Sequence, residues 1–344
     1  MVDIFNPEVS EVVRGLQGKS VLLYGTNRTG KTANAIKAPK PIVACFEDGL
    51  AAVGGVPNVK IKTWSDWQAF VQQLTSPMTF DKAKELYSTV IIDGADSMGM
   101  LCADFICSLY GVARINDGNR GYGLWKEFST EIEKHLRAIN TSLNAAGYLV
   151  IYITHETERE FLNERGEKYT KIYPAGDKRV IDPICNLCNI IGYAKVVCDA
   201  NGLPSKSVLY LVGTPAFHAG TNFDYMPQYI EEWSLDKLES ALINAIDMKA
   251  KESGTKTITS EQAVKKEQAK AKKEEAEKKP ISEIIEAIGN KVTAIGEANN
   301  GNIERYYEVM GKVLGTREFR AMDAGESQRE QLEVLLKGLV DAGL

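Results

Sequence analysis

Residues Gly25 to Thr32 read G-T-N-R-T-G-K-T and follow directly on the apolar run Val21, Leu22, Leu23, Tyr24. This complete G-x-x-x-x-G-K-T pattern constrains the fold because its chemistry needs a turn between a buried strand and the start of a helix. Its glycines let backbone N–H groups curl around a phosphate, Lys31 reaches the outer phosphates, and the Thr32 hydroxyl ligates Mg²⁺. The stretch Lys31 to Ala38 is helix-forming until Pro39 and Pro41 stop it. The expected nucleotide grip is therefore Gly25, Thr26, Asn27, Arg28, Thr29, Gly30, Lys31, Thr32 and Ala33, with ATP and Mg²⁺ as cofactors.

Around this loop, residues 1–248 alternate apolar strand-like runs with helix-like segments, the pattern of a parallel sheet covered on both faces. Strands are expected near Ser20 to Tyr24, Pro41 to Phe46, Ser88 to Asp93, Gly147 to Thr154, Asn189 to Val197 and Ser207 to Val212. The clearest helix spans Leu124 to Ala146, where Leu124, Phe128, Ile132, Leu136, Ile139 and Leu143 recur at intervals of three and four. Trp64 to Leu74 and Ser97 to Tyr110 are further helices. Residues 249–280 hold almost no large apolar side chains and read as a Lys/Glu-rich linker closed by Pro280. Residues 281–344 then offer three short amphipathic segments, centred on Ile284, Ile285 and Ile288, on Tyr306, Val309, Met310 and Val313, and on Leu332, Leu335, Leu336 and Leu339, which predict a small helical domain.

Composition sets outer bounds. The chain of 344 residues has 44% apolar residues, enough for one large α/β domain with an appendage. A net charge of −5 gives no global basic field, so any contact with nucleic acid has to be local. Residues 249–279 nevertheless hold ten Lys against six acids, a hint of a tail with its own electrostatic task. No run reaches the roughly 18 apolar residues that cross a membrane, and the start M-V-D-I-F-N-P-E lacks the order of a signal peptide, so the expectation is cytoplasmic, with no membrane partner. Cys45, Cys102, Cys107, Cys185, Cys188 and Cys198 lie mostly within apolar runs, as reduced buried thiols do. The C-x-x-C of Cys185 and Cys188, followed by Cys198 and His218, fits no common zinc spacing.

Three strand ends carry the candidate chemistry. S-T-V-I-I-D places Asp93 at the tip of a buried strand, where an acid supports the Mg²⁺ shell through water. The strand after the loop helix ends A-C-F-E-D-G-L, and Glu47 is the acid expected to orient the attacking water. V-I-Y-I-T-H-E puts His155 at the same edge, as a sensor of the γ-phosphate rather than a metal ligand. Lys31, Glu47 and His155 form the expected catalytic set. Two loops mix cations with aromatic rings as a nucleic-acid surface does. One carries Arg114, Arg120, Tyr122 and Trp125; the other, Glu158 to Arg179, carries Arg159, Lys168, Lys171, Lys178 and Arg179.

Taken in order, the phosphate loop, the strand ending at Glu47, the S-T-V-I-I-D strand, a Gly-Tyr-Gly loop before a long helix, and I-T-H-E resemble a RecA-like P-loop NTPase core. More narrowly, residues 15 to 235 resemble the phage-encoded nucleotide-binding ATPases related to the Sak-four group of single-strand annealing proteins. The resemblance implies that the Glu47 position polarises water, that Asp93 supports Mg²⁺, and that His155 couples nucleotide to a DNA loop. It also implies homo-oligomeric rings or filaments with ATP near a subunit interface and a basic residue reaching across. Related phage proteins often show Lys and Arg after the last core strand; Gly213 to Asn222 reads G-T-P-A-F-H-A-G-T-N here, leaving Lys178 or Arg179 as substitutes. The function expected is an ATPase acting on single-stranded DNA in phage recombination or replication. Its tail could recruit a single-strand-binding protein. The alternatives are a nucleotide-dependent loader or adaptor docking a replication or assembly partner through residues 281–344, and a small-molecule phosphotransferase.

Overall fold

Val21, Leu22, Leu23 and Tyr24 are all inaccessible to solvent although neighbouring side chains on a strand point to opposite faces. Only a strand covered on both sides satisfies this, and it lies near the middle of the sheet. The computed structural model describes residues 11–47, 54–117, 123–199, 201–266, 269, 280–325 and 328–344. The chain divides into two compact units, Met1–Lys266 and Glu267–Leu344.

In the first unit β1 (Val12–Val13) precedes the central strand β2 (Ser20–Gly25), the loop helix α1 (Lys31–Ala35), β3 (Pro41–Cys45) and the edge strand β4 (Asn58–Lys60). Two helices, α2 (Trp64–Thr75) and α3 (Phe80–Leu86), lead to β5 (Thr89–Asp93) and α4 (Met98–Tyr110). Then come α5 (Trp125–Arg137), β6 (Leu149–Thr154), a hairpin of β7 (Glu156–Leu162) and β8 (Lys168–Pro174), and α6 (Lys178–Leu187). The unit closes with β9 (Ile190–Cys198), β10 (Pro204–Tyr210), β11 (Gly220–Thr221), β12 (Tyr229–Glu231), α7 (Leu235–Ser253) and β13 (Thr257–Ile258).

The main sheet runs β12-β10-β9-β2-β6-β5-β3-β4, with β11 on β9. Strands from β9 to β4 are parallel neighbours, and β10, β11 and β12 pair antiparallel at the other end. The fold is thus α/β with a mainly parallel sheet, as the alternating pattern predicts. Leu22, Tyr24, Ile92 and Tyr152 face one core with Trp67, Met98, Phe128 and Ile184 from α2, α4, α5 and α6. Val21, Leu23, Ile91 and Ile151 face the other, under Ala35 of α1 and Leu238, Leu242 and Ile246 of α7. Each such large apolar side chain contributes roughly 1.5–3 kcal/mol on burial.

Four features depart from the sequence reading. Leu124 to Ala146 is not one regular helix, because α5 passes into a π-turn over Ala138–Leu143. Within the turn Asn140 accepts from the Ser20 hydroxyl at 2.5 Å and donates to the Leu136 carbonyl and the Tyr152 hydroxyl. The stretch Glu158 to Arg179 is a paired hairpin rather than a loop, and Lys178 and Arg179 open α6. The expected linker begins inside folded structure: α7 continues to Ser253, and Thr257 and Ile258 pair with Val12 and Val13. Finally, Ala95–Asp117 is long and apolar enough by composition to cross a membrane, yet within it Met98, Cys102 and Ile106 of α4 are buried in the core. Most of residues 267–279, like Arg120 and Tyr122, lies outside the described residues.

In the second unit helices cover Ile281–Ala298, Glu304–Leu314 and Arg329–Asp341. Ile284, Ile288, Tyr306, Met310, Leu332, Leu335 and Leu339 form their shared core. Those positions match the three amphipathic segments of the sequence.

Candidate functional site

Strand β2 ends at Gly25, where φ is +144° and any Cβ would lie 2.0 Å from the Ala194 carbonyl oxygen on β9. Glycine is therefore obligatory at the point where the chain leaves the sheet. Arg28 and Gly30 also take left-handed backbone angles, and Gly30 caps the start of α1. The loop is fixed from outside by its Thr29 carbonyl, which accepts from Ser207 at 2.9 Å and from the Trp233 indole at 3.2 Å. Lys31 is buried, and its Nζ donates to the Gly25 and Thr26 carbonyls at 2.8 and 2.7 Å.

A cavity of about 380 Å³ opens over this loop, lined by residues 27–33 with Glu47, Asp93, Gly94, Ile153, Thr154 and His155. The ends of β3, β5 and β6 thus meet the phosphate loop at one edge, as the register Cys45↔Asp93↔Ile153 requires. The Thr32 hydroxyl lies 3.2 Å from Asp93 Oδ1 and 3.3 Å from Oδ2. Burial raises the Asp93 carboxyl above its usual range, reinforced by Glu47 and opposed by the Thr32 hydrogen bond and Lys31. Burial likewise lowers the Lys31 ammonium, opposed by Asp93, Glu156, Asp96 and Glu47. Both charges are disfavoured where they stand, so a polyphosphate beside Lys31 and a hard divalent cation beside the Thr32 and Asp93 oxygens would relieve both. The residues present fit ATP with Mg²⁺.

Residues 17–223 match the family model described as an AAA domain. The chain belongs to this AAA-domain family. The SPbeta prophage-derived uncharacterized protein YorG of Bacillus subtilis (strain 168) is 33% identical over 339 residues, covering 97% of this chain and 95% of that protein. Within the AAA domain the phosphate loop, Glu47, Asp93 and His155 all fall inside the matched residues, and the domain is a P-loop nucleotide-binding unit.

At the cavity mouth the AAA domain assembles a polar group that the sequence reading found only in part. His155 Nδ1 lies 2.8 Å from Asp96 Oδ2 and 3.7 Å from Glu47 Oε1, and the Ser97 hydroxyl reaches Glu47 Oε1 at 3.5 Å. The sequence reading does not include Asp96 or Ser97 in the site. They lie in D-G-A-D-S, where the turn Ala95–Ser97 follows Gly94 directly, so the second acid of that short segment was the available signal. Gly94 has φ +82°, and a Cβ there would fall 2.7 Å from Glu47 Cγ.

The residues expected to meet DNA have different surroundings in the structure. Trp125 and Arg179, from different loops in the sequence, meet: the guanidinium stacks 3.8 Å from the indole centroid and is held by Asp177, while the Trp125 N–H donates to Asn116. Arg159 makes a bidentate pair with Asp182 at 2.6 and 3.0 Å and stacks on Tyr173 and Phe161, so it joins the hairpin to α6. Lys168 pairs with Glu160 at 2.9 Å. Arg114 and Lys178 are exposed, and Lys171 is half-buried. His218 stacks on Tyr173 at 4.7 Å, and burial lowers its imidazole, so the basic residue of Gly213 to Asn222 is packed inward. Cys185 and Cys188 are buried thiols, with burial raising both, as the apolar reading of that C-x-x-C expects.

Proposed function

We propose that this chain hydrolyses ATP and acts on single-stranded DNA in phage recombination or replication, by annealing or strand pairing. One observation carries the reading: β6 ends at Thr154, His155 follows on the nucleotide cavity, and the chain continues directly into β7, the first strand of a hairpin that bears Lys168, Tyr169 and Lys171 outside the Arg159–Asp182 joint. Cations interleaved with stacking faces suit a flexible polyanion with exposed bases. The hairpin root closes on the cavity as well, since Ala175 N–H donates to the His155 carbonyl at 2.9 Å. A change in how His155 is held at the cavity is thereby passed to the hairpin. The prophage-derived relative supports a phage setting.

Bound ATP supplies the phosphoryl group to be cleaved, and Mg²⁺ supplies its counter-charge. Lys31 and the loop amides hold the phosphates, and Thr32 with Asp93 holds the cation. Glu47 orients water and accepts its proton. His155 reads the γ-phosphate. As in the Sak-four group and RecA-like proteins that the sequence resembles, the protein assembles into rings or filaments, with the exposed Lys178 reaching a neighbouring subunit, since Arg179 is engaged by Trp125 and Asp177. A second reading, a loader or adaptor for a protein partner, draws on the separately cored helical unit, where Met322, Val334 and Val340 are each exposed.

The test measures ATP hydrolysis and single-stranded DNA binding for wild type, Lys31→Ala and Glu47→Gln across a salt series. Lys31→Ala should lose nucleotide binding, and Glu47→Gln should bind ATP but hydrolyse it about 10²-fold more slowly or worse. DNA binding should weaken steeply with salt. A wild type that binds no single-stranded DNA with any nucleotide sinks the recombination reading, and a partner captured through residues 281–344 would then favour the adaptor.

A further inference from the structure

We propose that Asp96 is a positioning residue that sets the ring orientation and tautomer of His155, and so creates the preference for a nucleoside triphosphate over a diphosphate. This rests on the reading of the cavity as an ATP site. Asp96 does not line the cavity, whereas His155 does. The Asp96 side chain is 14% exposed against 38% for His155, so the carboxylate stands behind the ring on its protein side.

At 2.8 Å the Asp96 Oδ2 to His155 Nδ1 contact is a hydrogen bond, while Glu47 at 3.7 Å is too far from the same nitrogen to compete. A carboxylate accepts and cannot donate, so Nδ1 carries the proton in this pair. Nε2 is then the nitrogen left to meet a ligand. As an acceptor it can take a hydrogen bond from a water held by the third phosphate, which a diphosphate lacks. The charged groups lining the cavity with the ring, Arg28, Lys31, Glu47 and Asp93, come from the phosphate loop, α1, the segment after β3 and the end of β5. Asp96 alone among the described residues touches Nδ1 at hydrogen-bond distance.

The surroundings hold the Asp96 backbone in place. It sits in the turn Ala95–Ser97, closed by Ser97 N–H on the Gly94 carbonyl at 2.9 Å. Across from it Gly176 approaches so closely that a Cβ there would lie 3.1 Å from Asp96 Cα. Gly176 follows Ala175, whose N–H holds the His155 carbonyl. The ring is therefore fixed through Nδ1 from one side and its backbone from the other, which is the support a precise hydrogen-bonding group needs.

The test compares the affinity of the full-length protein for ADP and for a non-hydrolysable ATP analogue, with Mg²⁺, in wild type, Asp96→Asn, Asp96→Ser, His155→Ala and the Asp96→Asn/His155→Ala double variant. The Asp96 readout is taken from whichever substitution binds ADP as wild type does, which certifies its fold. Wild type should prefer the analogue, and the Asp96 variant and His155→Ala should each lose about tenfold of that preference. The double variant should lose no more than either single one, because both act through one ring. Full additivity, or an Asp96 variant that keeps the preference while His155→Ala loses it, overturns the role of Asp96 alone. A wild type that binds neither nucleotide overturns the ATP reading beneath it.

Discussion

The geometry of the cavity depends on residues chosen for what they omit. Gly94 has φ +82° and leaves room for Glu47, whose Cγ would lie 2.7 Å from an added methyl. Gly94→Ala should therefore cost about 1–2 kcal/mol for the left-handed backbone and displace Glu47 as well. ATP hydrolysis should fall towards the Glu47→Gln level while ADP affinity stays near wild type, which steady-state kinetics and calorimetric titration would separate; unchanged turnover would refute it. Asp93 gives a residue-scale prediction of opposite sign. Burial raises its carboxyl in the folded state, so the ionised form opposes folding above that raised pKa, and the opposition fades as pH falls and the folded state takes the proton first. Asp93→Asn should melt higher than wild type at pH 7 without nucleotide or Mg²⁺, and the gap should narrow on acidification towards the ordinary carboxylate range. Mg²⁺-dependent hydrolysis should be lost in the same variant. An equal or lower melting point at pH 7 would contradict the burial argument.

At the scale of elements, the π-turn over Ala138–Leu143 joins the end of α5 to the sheet through Asn140, Ser20, Asn144 and Tyr152. Replacing Asn140 by Leu leaves the buried Ser20 and Tyr152 hydroxyls short of a partner, at a cost of about 1–3 kcal/mol each way the network is broken. Chemical denaturation of Asn140→Leu should show that loss with an unchanged slope, since the compactness of both states is kept. The same element explains how far the sequence could be read. Leu124, Phe128, Ile132, Leu136, Ile139 and Leu143 announced a helix because burial imposes a period along the chain, and all but the cap-forming Leu124 lie in α5 or the turn after it. The break within it was not legible, because Asn140 answers to Ser20, a partner 120 residues away. The β7–β8 hairpin was hidden for a related reason. E-T-E-R-E-F-L has no alternating apolar face, and its packing comes from Arg159, whose aliphatic stem and guanidinium fill a place between Tyr173, Phe161 and Asp182. Glu47, Asp93 and His155 were readable as polar tips of buried strands, whereas Asp96 lies in a turn after its strand and acquires meaning only when β6 brings His155 beside it.

For the whole molecule, the decisive boundary is where the lysine-rich text begins to fold with the AAA domain and where it stops. Apolar content drops after Met248, yet the backbone of residues 249–258 is committed: Val12 N–H donates to the Lys256 carbonyl at 3.2 Å, Arg14 N–H donates to Ile258 at 2.9 Å, and Lys249 pairs with Asp224 at 3.1 Å. Composition misses this because two short strands, β1 and β13, are joined by main-chain bonds, which any side chain can make. A chain cut after Met248 should therefore be less stable than one cut after Lys266. Two lost main-chain bonds at about 0.5–1.5 kcal/mol each, with the last turn of α7, correspond to a fall of several degrees in melting temperature for a unit of this size. The longer fragment keeps both faces of the sheet and every residue of the nucleotide cavity, so it should bind ADP as the full chain does. Thermal melts and ADP titrations on the two fragments check both statements. Equal melting points would mean that the β1–β13 pair adds nothing, and weakened ADP binding by the longer fragment would mean that residues 267–344 support the AAA domain rather than serving it as a separate module.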